Sequence, residues 1–393
     1  VRPNFTLSLG LRYENQNNIN SNLNVAPRVG FAWSPRGQQS KTVIRGGYGV
    51  FYERVNENLT LQATRLNGVN QQQFTVLNPD FFPVIPSPET LVQFSVPGSV
   101  YQLSDNLQAP YTLQSVISVE RQLPRNFTIA TSYINVRTLH VLRTRPLNAP
   151  LPGTFIPGVP GSGIRPLNCA DFIPPSINPS TTCNIYEYES SGRYNQNQFI
   201  VNLNSRLHRN FSFNAFYVLA KANADTDGTG TFPANPYDFS TEYGRASGDV
   251  RHRFVITGNF RAPWGIALNP FIIVQSGRPF NVTLGRDING DTLNTERPAL
   301  AGADANCADT ANIKCTPYGN FKLTLAPGDA MIPRNFAEGP SSTTINVRVS
   351  KTWSFGSEGG TSNAQNRQGH GNVGQRSNNT MMGGGMAGRG PGG

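Results

Sequence analysis

Phe5, Leu7, Leu9, Leu11 and Tyr13 alternate without interruption with Thr6, Ser8, Gly10 and Arg12. A side-chain period of two places each set on its own face of an extended strand. About ten such residues is well beyond the common soluble strand of five or six. It is the length a tilted strand needs to cross a bilayer with an apolar outer face and a polar inner one. The pattern returns where Ile345, Val347, Val349, Trp353 and Phe355 oppose Asn346, Arg348, Ser350, Thr352 and Ser354. It returns again where Ile44, Tyr48, Val50 and Tyr52 oppose Arg45 and two glycines. Lys351 breaks the apolar face and has to snorkel to an interface.

Three segments open alike: Arg2-Pro3-Asn4-Phe5-Thr6-Leu7, Pro124-Arg125-Asn126-Phe127-Thr128-Ile129 and His208-Arg209-Asn210-Phe211-Ser212-Phe213. Each is a tight polar turn running into an alternating strand, the mark of a hairpin. The first begins at residue 2 without a preceding partner, so the chain reads as a piece of a larger barrel. Strands are expected at 3–14, 24–34, 41–53, 111–122, 126–138, 193–207, 211–222, 250–262, 265–276 and 343–355. Connections between them then alternate. Pro35–Ser40, Leu123–Arg125, His208–Asn210 and Pro263–Gly265 are short, whereas Glu14–Leu23, Arg54–Pro110, Leu139–Arg193, Ala222–Gly248 and Ser276–Thr343 are long. Transmembrane barrels have short periplasmic turns and long outer loops. The fold class that follows is all-β: an antiparallel transmembrane β-barrel portion of about ten strands over residues 1–355. Residues 356–393, rich in Gly, Asn and Ser, read as a disordered low-complexity segment. Tyr13, Trp33, Tyr52, Tyr133, Tyr217, Trp264 and Trp353 fall near strand ends, as interfacial girdles require. An apolar lipid face and open edge strands also predict aggregation in water.

Charged residues make up only 14% of the chain, and no run of apolar residues is long enough for a membrane helix. The net charge of +10 is spread singly, as pore and loop charges are, without the basic blocks of a nucleic-acid binder. Cys169/Cys183 and Cys307/Cys315 are two local pairs in loops. Neither has zinc-clip spacing, so disulfides in an oxidising compartment are expected.

Catalytic motifs are absent: His140, His208, His252 and His370 form no H-x-x-x-H pair, and there is no nucleophile elbow. Gly369 to Gly374 spells G-x-G-x-x-G but lacks the flanking strand and helix of a dinucleotide site. Gly388-Arg389-Gly390 is a single RNA-binding-like triplet and reads as linker. Asp287, Asn289 and Asp291 have the alternate-residue oxygen spacing of a calcium loop. Thr292 stands where that loop wants glycine, Pro298 where it wants Glu, and Glu296 comes two residues early, so a plain Asx-rich turn competes with the calcium reading. No other cofactor is expected.

Several stretches resemble the barrel of TonB-dependent outer-membrane receptors of the Oar-like group. They are Asn24-Val25-Ala26-Pro27-Arg28-Val29-Gly30-Phe31-Ala32-Trp33-Ser34-Pro35, Thr42 to Tyr52, Val119-Glu120-Arg121-Gln122-Leu123-Pro124, Asp249-Val250-Arg251-His252-Arg253-Phe254-Val255 and Gln275-Ser276-Gly277-Arg278-Pro279-Phe280. Asn289-Gly290-Asp291 with Arg297-Pro298 is similar to that group's next loop. The resemblance implies a 22-stranded barrel in the outer membrane of a Gram-negative bacterium, among lipid and lipopolysaccharide. It further implies an N-terminal plug worked by the TonB complex, and an extracellular solute as cargo. The plug, the TonB box and the closing strand with its terminal aromatic are expected outside this chain. On this reading Arg12, Arg45, Glu120, Arg206 and Arg348 face the lumen, lining a path or holding the plug. The role this resemblance implies is import of a solute, without enzymatic activity. A small passive outer-membrane channel and a soluble secreted all-β binding or adhesion protein are the alternatives.

Overall fold

In a computed structural model, ten long strands follow one another in one antiparallel sheet, each paired to the next in chain order. They are β1 (Phe5–Glu14), β2 (Asn24–Trp33), β3 (Thr42–Tyr52), β4 (Tyr111–Leu123), β5 (Phe127–Pro146), β6 (Asn184–His208), β7 (Phe211–Ala224), β8 (His252–Ala262), β9 (Ile266–Gln275) and β10 (Ser342–Lys351). The structure describes residues 4–71, 76, 79–94, 98–159, 161–173, 183–208, 210–326 and 328–353. Segment 356–393, with its Gly369–Gly374 and Gly388–Gly390 motifs, lies outside the described residues. All the strands fall within one unit, Val1–Thr352.

Register fixes the faces. One row of paired residues runs across all ten strands: Phe5, Trp33, Ile44, Val119, Thr131, Val201, Tyr217, Phe254, Val274 and Thr343. Its neighbour on the opposite face runs Thr6, Ala32, Arg45, Ser118, Ser132, Ile200, Val218, Arg253, Gln275 and Ser342. The first row is apolar but for two threonines, and Phe5, Trp33, Val119, Phe254 and Val274 in it are exposed. Leu9 and Leu11 are 74% and 75% exposed, and Ile345 and Val349 are 63% and 64% exposed. A soluble sandwich buries such side chains; a barrel wall turns them to lipid. Glycine at position 46 admits the Phe31 ring, which any Cβ there would overlap.

The row also climbs. Trp33 is the last residue of β2, beside the 34–41 turn, whereas Phe254 and Val274 lie at the ends of β8 and β9 remote from the 263–265 turn. That stagger is the strand tilt a barrel requires. Short connections (34–41, 124–126, 209–210, 263–265) share one side of the sheet and long ones (15–23, 53–110, 147–183, 225–251, 276–341) the other. Arg125 and Asn126 close the second short turn in left-handed backbone, φ 61° and 58°, a conformation to which Asn is well suited.

One expectation is corrected. The β5–β6 hairpin does not end at 138 and 193 but continues to Pro146 and back to Asn184. The bilayer-length alternation stops at the earlier limits, yet backbone pairing carries on past two register shifts between Leu139 and Arg143. The extra length mixes polar residues with apolar ones such as Leu142 and Ile185, which pack against apolar residues of the long connections. Segment Ser99–Leu103 adds in parallel along Asn184–Tyr188. The 53–110 connection also folds helices α1 (Glu57–Arg65), capped by the Asn56 side chain on Asn58 N, and α2 (Pro88–Phe94). No described helix is long and apolar enough to cross a membrane.

Candidate functional site: a polar wall under a locked loop cap

Arg12, Arg45, Glu120 and Arg348 all lie on the face opposite the apolar rows. Arg12 Nε pairs with Glu14 at 2.7 Å, and Arg45 Nη1 with Glu120 at 2.7 Å across β3 and β4. Arg348 stands opposite Asn269, whose Oδ1 accepts from Asn259 Nδ2 at 2.6 Å. Arg206 stands opposite Ser212 in register; its side chain lies outside the described residues. Asn214 donates to Asn202 at 3.0 Å on the same face. The wall thus offers a band of amides and charges able to hydrogen-bond a polar solute or a protein surface.

Above it, two of the largest fully buried side chains, Arg297 and Glu242, sit in the loops, and a third, Ile185, lies on the extension of β6 beyond the wall. Arg297 Nη2 and Nη1 hold the two carboxylate oxygens of Glu242 at 2.8 and 3.2 Å, with residue exposures of 1% for both. Arg297 also donates to the carbonyls of Thr241 and Ile332, and Glu242 accepts from Ala234 N at 3.0 Å. Asp249, fully buried, accepts from Arg245 at 2.8 Å and Arg251 at 3.3 Å and caps Ala222 N. Arg334 bonds Asp227 at 2.7 Å. Arg143, on the extended hairpin, meets Asp225 at 3.2 Å and lies over the Phe239 ring. These pairs tie connections 225–251 and 276–341 to each other and to the hairpin.

Cys169 and Cys183 are joined, both buried, in a cluster with Val100, Ile173 and Ile185. Cys307 and Cys315 are joined in a more exposed part of the 276–341 connection.

The Asp287 to Glu296 loop packs against this cap. Asp287 Oδ1 accepts from Asn289 N and Gly290 N, and its Oδ2 from Thr292 N at 2.7 Å. Gly290 has φ +82° and lies against Phe155 and Pro150, so no other residue fits. Thr292 takes φ +68°, the left-handed backbone of the glycine it replaces. The Asn289 side chain is turned to Ala234 O and to Asp291. Asp287, Asp291 and Glu296 instead come together, with one oxygen from each lying within 4.8 Å of the others. Burial pushes Asp291 up to about 6 and Glu296 up to about 7, with the neighbouring carboxylates adding to both. Burial lowers the pKa of Arg165, against the pull of Asp287 and Asp291. Its guanidinium bonds the carbonyls of Asn148 and Gly290.

Sequence reasoning did not find Glu242, Asp249 or Arg297 as structural anchors. Asp249 and Arg297 fall in the short motifs Asp249-Val250-Arg251-His252-Arg253 and Arg297-Pro298, the first running into β8; Glu242 lies in neither.

A family model described as an outer membrane beta barrel domain matches residues 15–368. No match is found among curated proteins. Among solved structures, the chain is similar to the outer membrane transporter YddB from Escherichia coli, with 16% identity, coverage of 74% of this chain and 33% of that one, and a TM-score of 0.48. It is similar to the siderophore receptor PirA from Acinetobacter baumannii, with 11% identity, coverage of 90% and 38%, and a TM-score of 0.47. For the siderophore receptor PirA from Pseudomonas aeruginosa the values are 14%, 70%, 37% and 0.38. The chain spans 33% to 38% of the length of these three structures.

Proposed function

The chain belongs to the outer membrane beta barrel domain family, and from that premise we propose that it is part of the barrel of an Oar-like TonB-dependent receptor that imports a solute. Its place is the outer membrane of a Gram-negative bacterium. The observation that carries the reading is a polar inner wall standing beneath long loops that are locked to one another by buried ion pairs. Fixed loops present a preformed surface for capture, and preformed surfaces lose little ordering entropy on binding. The amides and charges on the wall then hold either the solute or a plug. In this reading Arg45 with Glu120, Arg12 and Arg348 face the plug, TonB displaces it, and no bond of the solute is made or broken.

Conductance tests this. The intact protein inserted in a planar lipid bilayer should be closed to small ions at rest, and protein-dependent uptake by cells should vanish without TonB. A steady open conductance together with TonB-independent uptake would overturn the receptor reading in favour of a passive channel.

A further inference from the structure

We propose that Asp287, Asp291 and Glu296 form a calcium site that pins the 276–341 connection into the outer loop cap. Three observations carry it. First, their ligand oxygens lie within 4.8 Å of one another. Oxygens on opposite sides of one calcium ion, at about 2.3–2.6 Å each, stand about 4.6–5.2 Å apart at most, so a single ion reaches all three.

Second, Glu296 Oε2 is buried without a hydrogen-bond partner, in a residue only 2% exposed. Glu296 Oε1, by contrast, accepts from Ile288 N at 3.1 Å. A carboxylate oxygen stripped of water and left unpaired is costly, and a cation beside it removes the cost.

Third, the charges do not balance. Two of the three carboxylates, Asp287 and Asp291, lie in the field of Arg165, whose guanidinium bonds the Asn148 and Gly290 carbonyls. With all three ionised the group lacks two positive charges, which a divalent ion supplies. An all-oxygen ligand set selects a hard cation, and three carboxylates in an irregular loop suit calcium's variable coordination better than the strict octahedron of magnesium.

The ligand set differs from a helix-loop-helix calcium loop. Asn289 spends its side chain on Ala234 O and Asp291, and Glu296 supplies the carboxylate that such a loop places two residues later. The same loop is bonded to connection 225–251 through Asn289 and Thr295, and to connection 147–183 through Arg165. An ion here therefore locks three outer connections at once.

The test uses the full-length protein in detergent and calcium ion alone, followed by titration calorimetry. Saturable binding of one calcium is expected, with a dissociation constant of about 10⁻⁴–10⁻³ M, as in extracellular modules. Glu296→Gln should weaken it at least tenfold, while Asp309→Asn, an acid of the same connection outside the cluster, should leave it unchanged. Equal affinity in Glu296→Gln, equal loss in Asp309→Asn, or no saturable binding would overturn the proposal. Should Glu296→Gln fail to fold, wild-type protein decides: calcium, and not magnesium, should slow protease cleavage within 281–298 relative to EGTA. Identical cleavage in all three conditions would overturn the site.

Discussion

Replacing Glu242 by Gln should open the loop cap while leaving the barrel wall standing. Arg297 and Glu242 are each 1% exposed and share two hydrogen bonds, so neither charge has water to fall back on. The amide keeps an oxygen for Ala234 N but removes the negative charge that compensates Arg297. Uncompensated burial of one partner costs about 3–5 kcal/mol, whereas replacing both partners by apolar side chains of similar volume is about neutral or better. In the equilibrium between closed and open cap, the single change amounts to roughly two to four powers of ten. Native-state proteolysis of the full-length protein reads this directly, since cleavage follows the open population when opening and closing are fast. Cleavage within 225–251 and 276–341 should accelerate by that factor, and the heat-modifiable gel mobility of a folded barrel should persist. The double variant Glu242→Leu/Arg297→Met should return to near wild-type resistance. A single variant as resistant as wild type, or a double variant as labile as the single, would refute the account of the pair as an anchor.

Two further predictions concern the wall and the disulfides. Ile117 faces outward in register with Gly46 and Tyr133, so Ile117→Arg should cost about 2–4 kcal/mol near the bilayer midplane. Ser132→Arg, on the inner face beside Ser118, should cost under about 1 kcal/mol, and equal losses in urea unfolding from liposomes would contradict the face assignment. The Cys169–Cys183 bridge, spanning 14 residues within a buried cluster, should contribute about 3 kcal/mol and resist reductant longer than the exposed Cys307–Cys315 bridge. Mass-mapped alkylation under increasing reductant checks the order; free thiols in untreated protein, or the reverse order, would sink it.

The wall was legible because its physics is local. Alternation in Phe5–Tyr13 and Ile345–Phe355 needs no knowledge of partners, and the short turns announce themselves through Pro, Arg and Asn before an aromatic. The cap was not, because its rules are non-local. Nothing near Arg297 in the chain points to Glu242, and the β5–β6 hairpin outruns its hydrophobic pattern because pairing with Ser99–Leu103 and bonds to Thr229 and Pro236 hold it. The carboxylate loop shows both sides. Spacing singled out Asp287 and Asp291, but only the fold brings Glu296 to them in place of Asn289.

The climb of the paired rows makes the inner wall a spiral stair. Followed along its hydrogen bonds, the line from Arg45 through Ser118 and Ser132 to Arg253 and Gln275 ascends from the turn side to the loop side as it circles. Side chains adjacent in a row are therefore at different depths, and a molecule moving along the barrel axis meets successive rows at different strands. In the import proposed above, a solute passed from the level of Arg253 to that of Arg45 would turn as it descends, so the sheet's tilt would give that path a handedness that no single strand possesses.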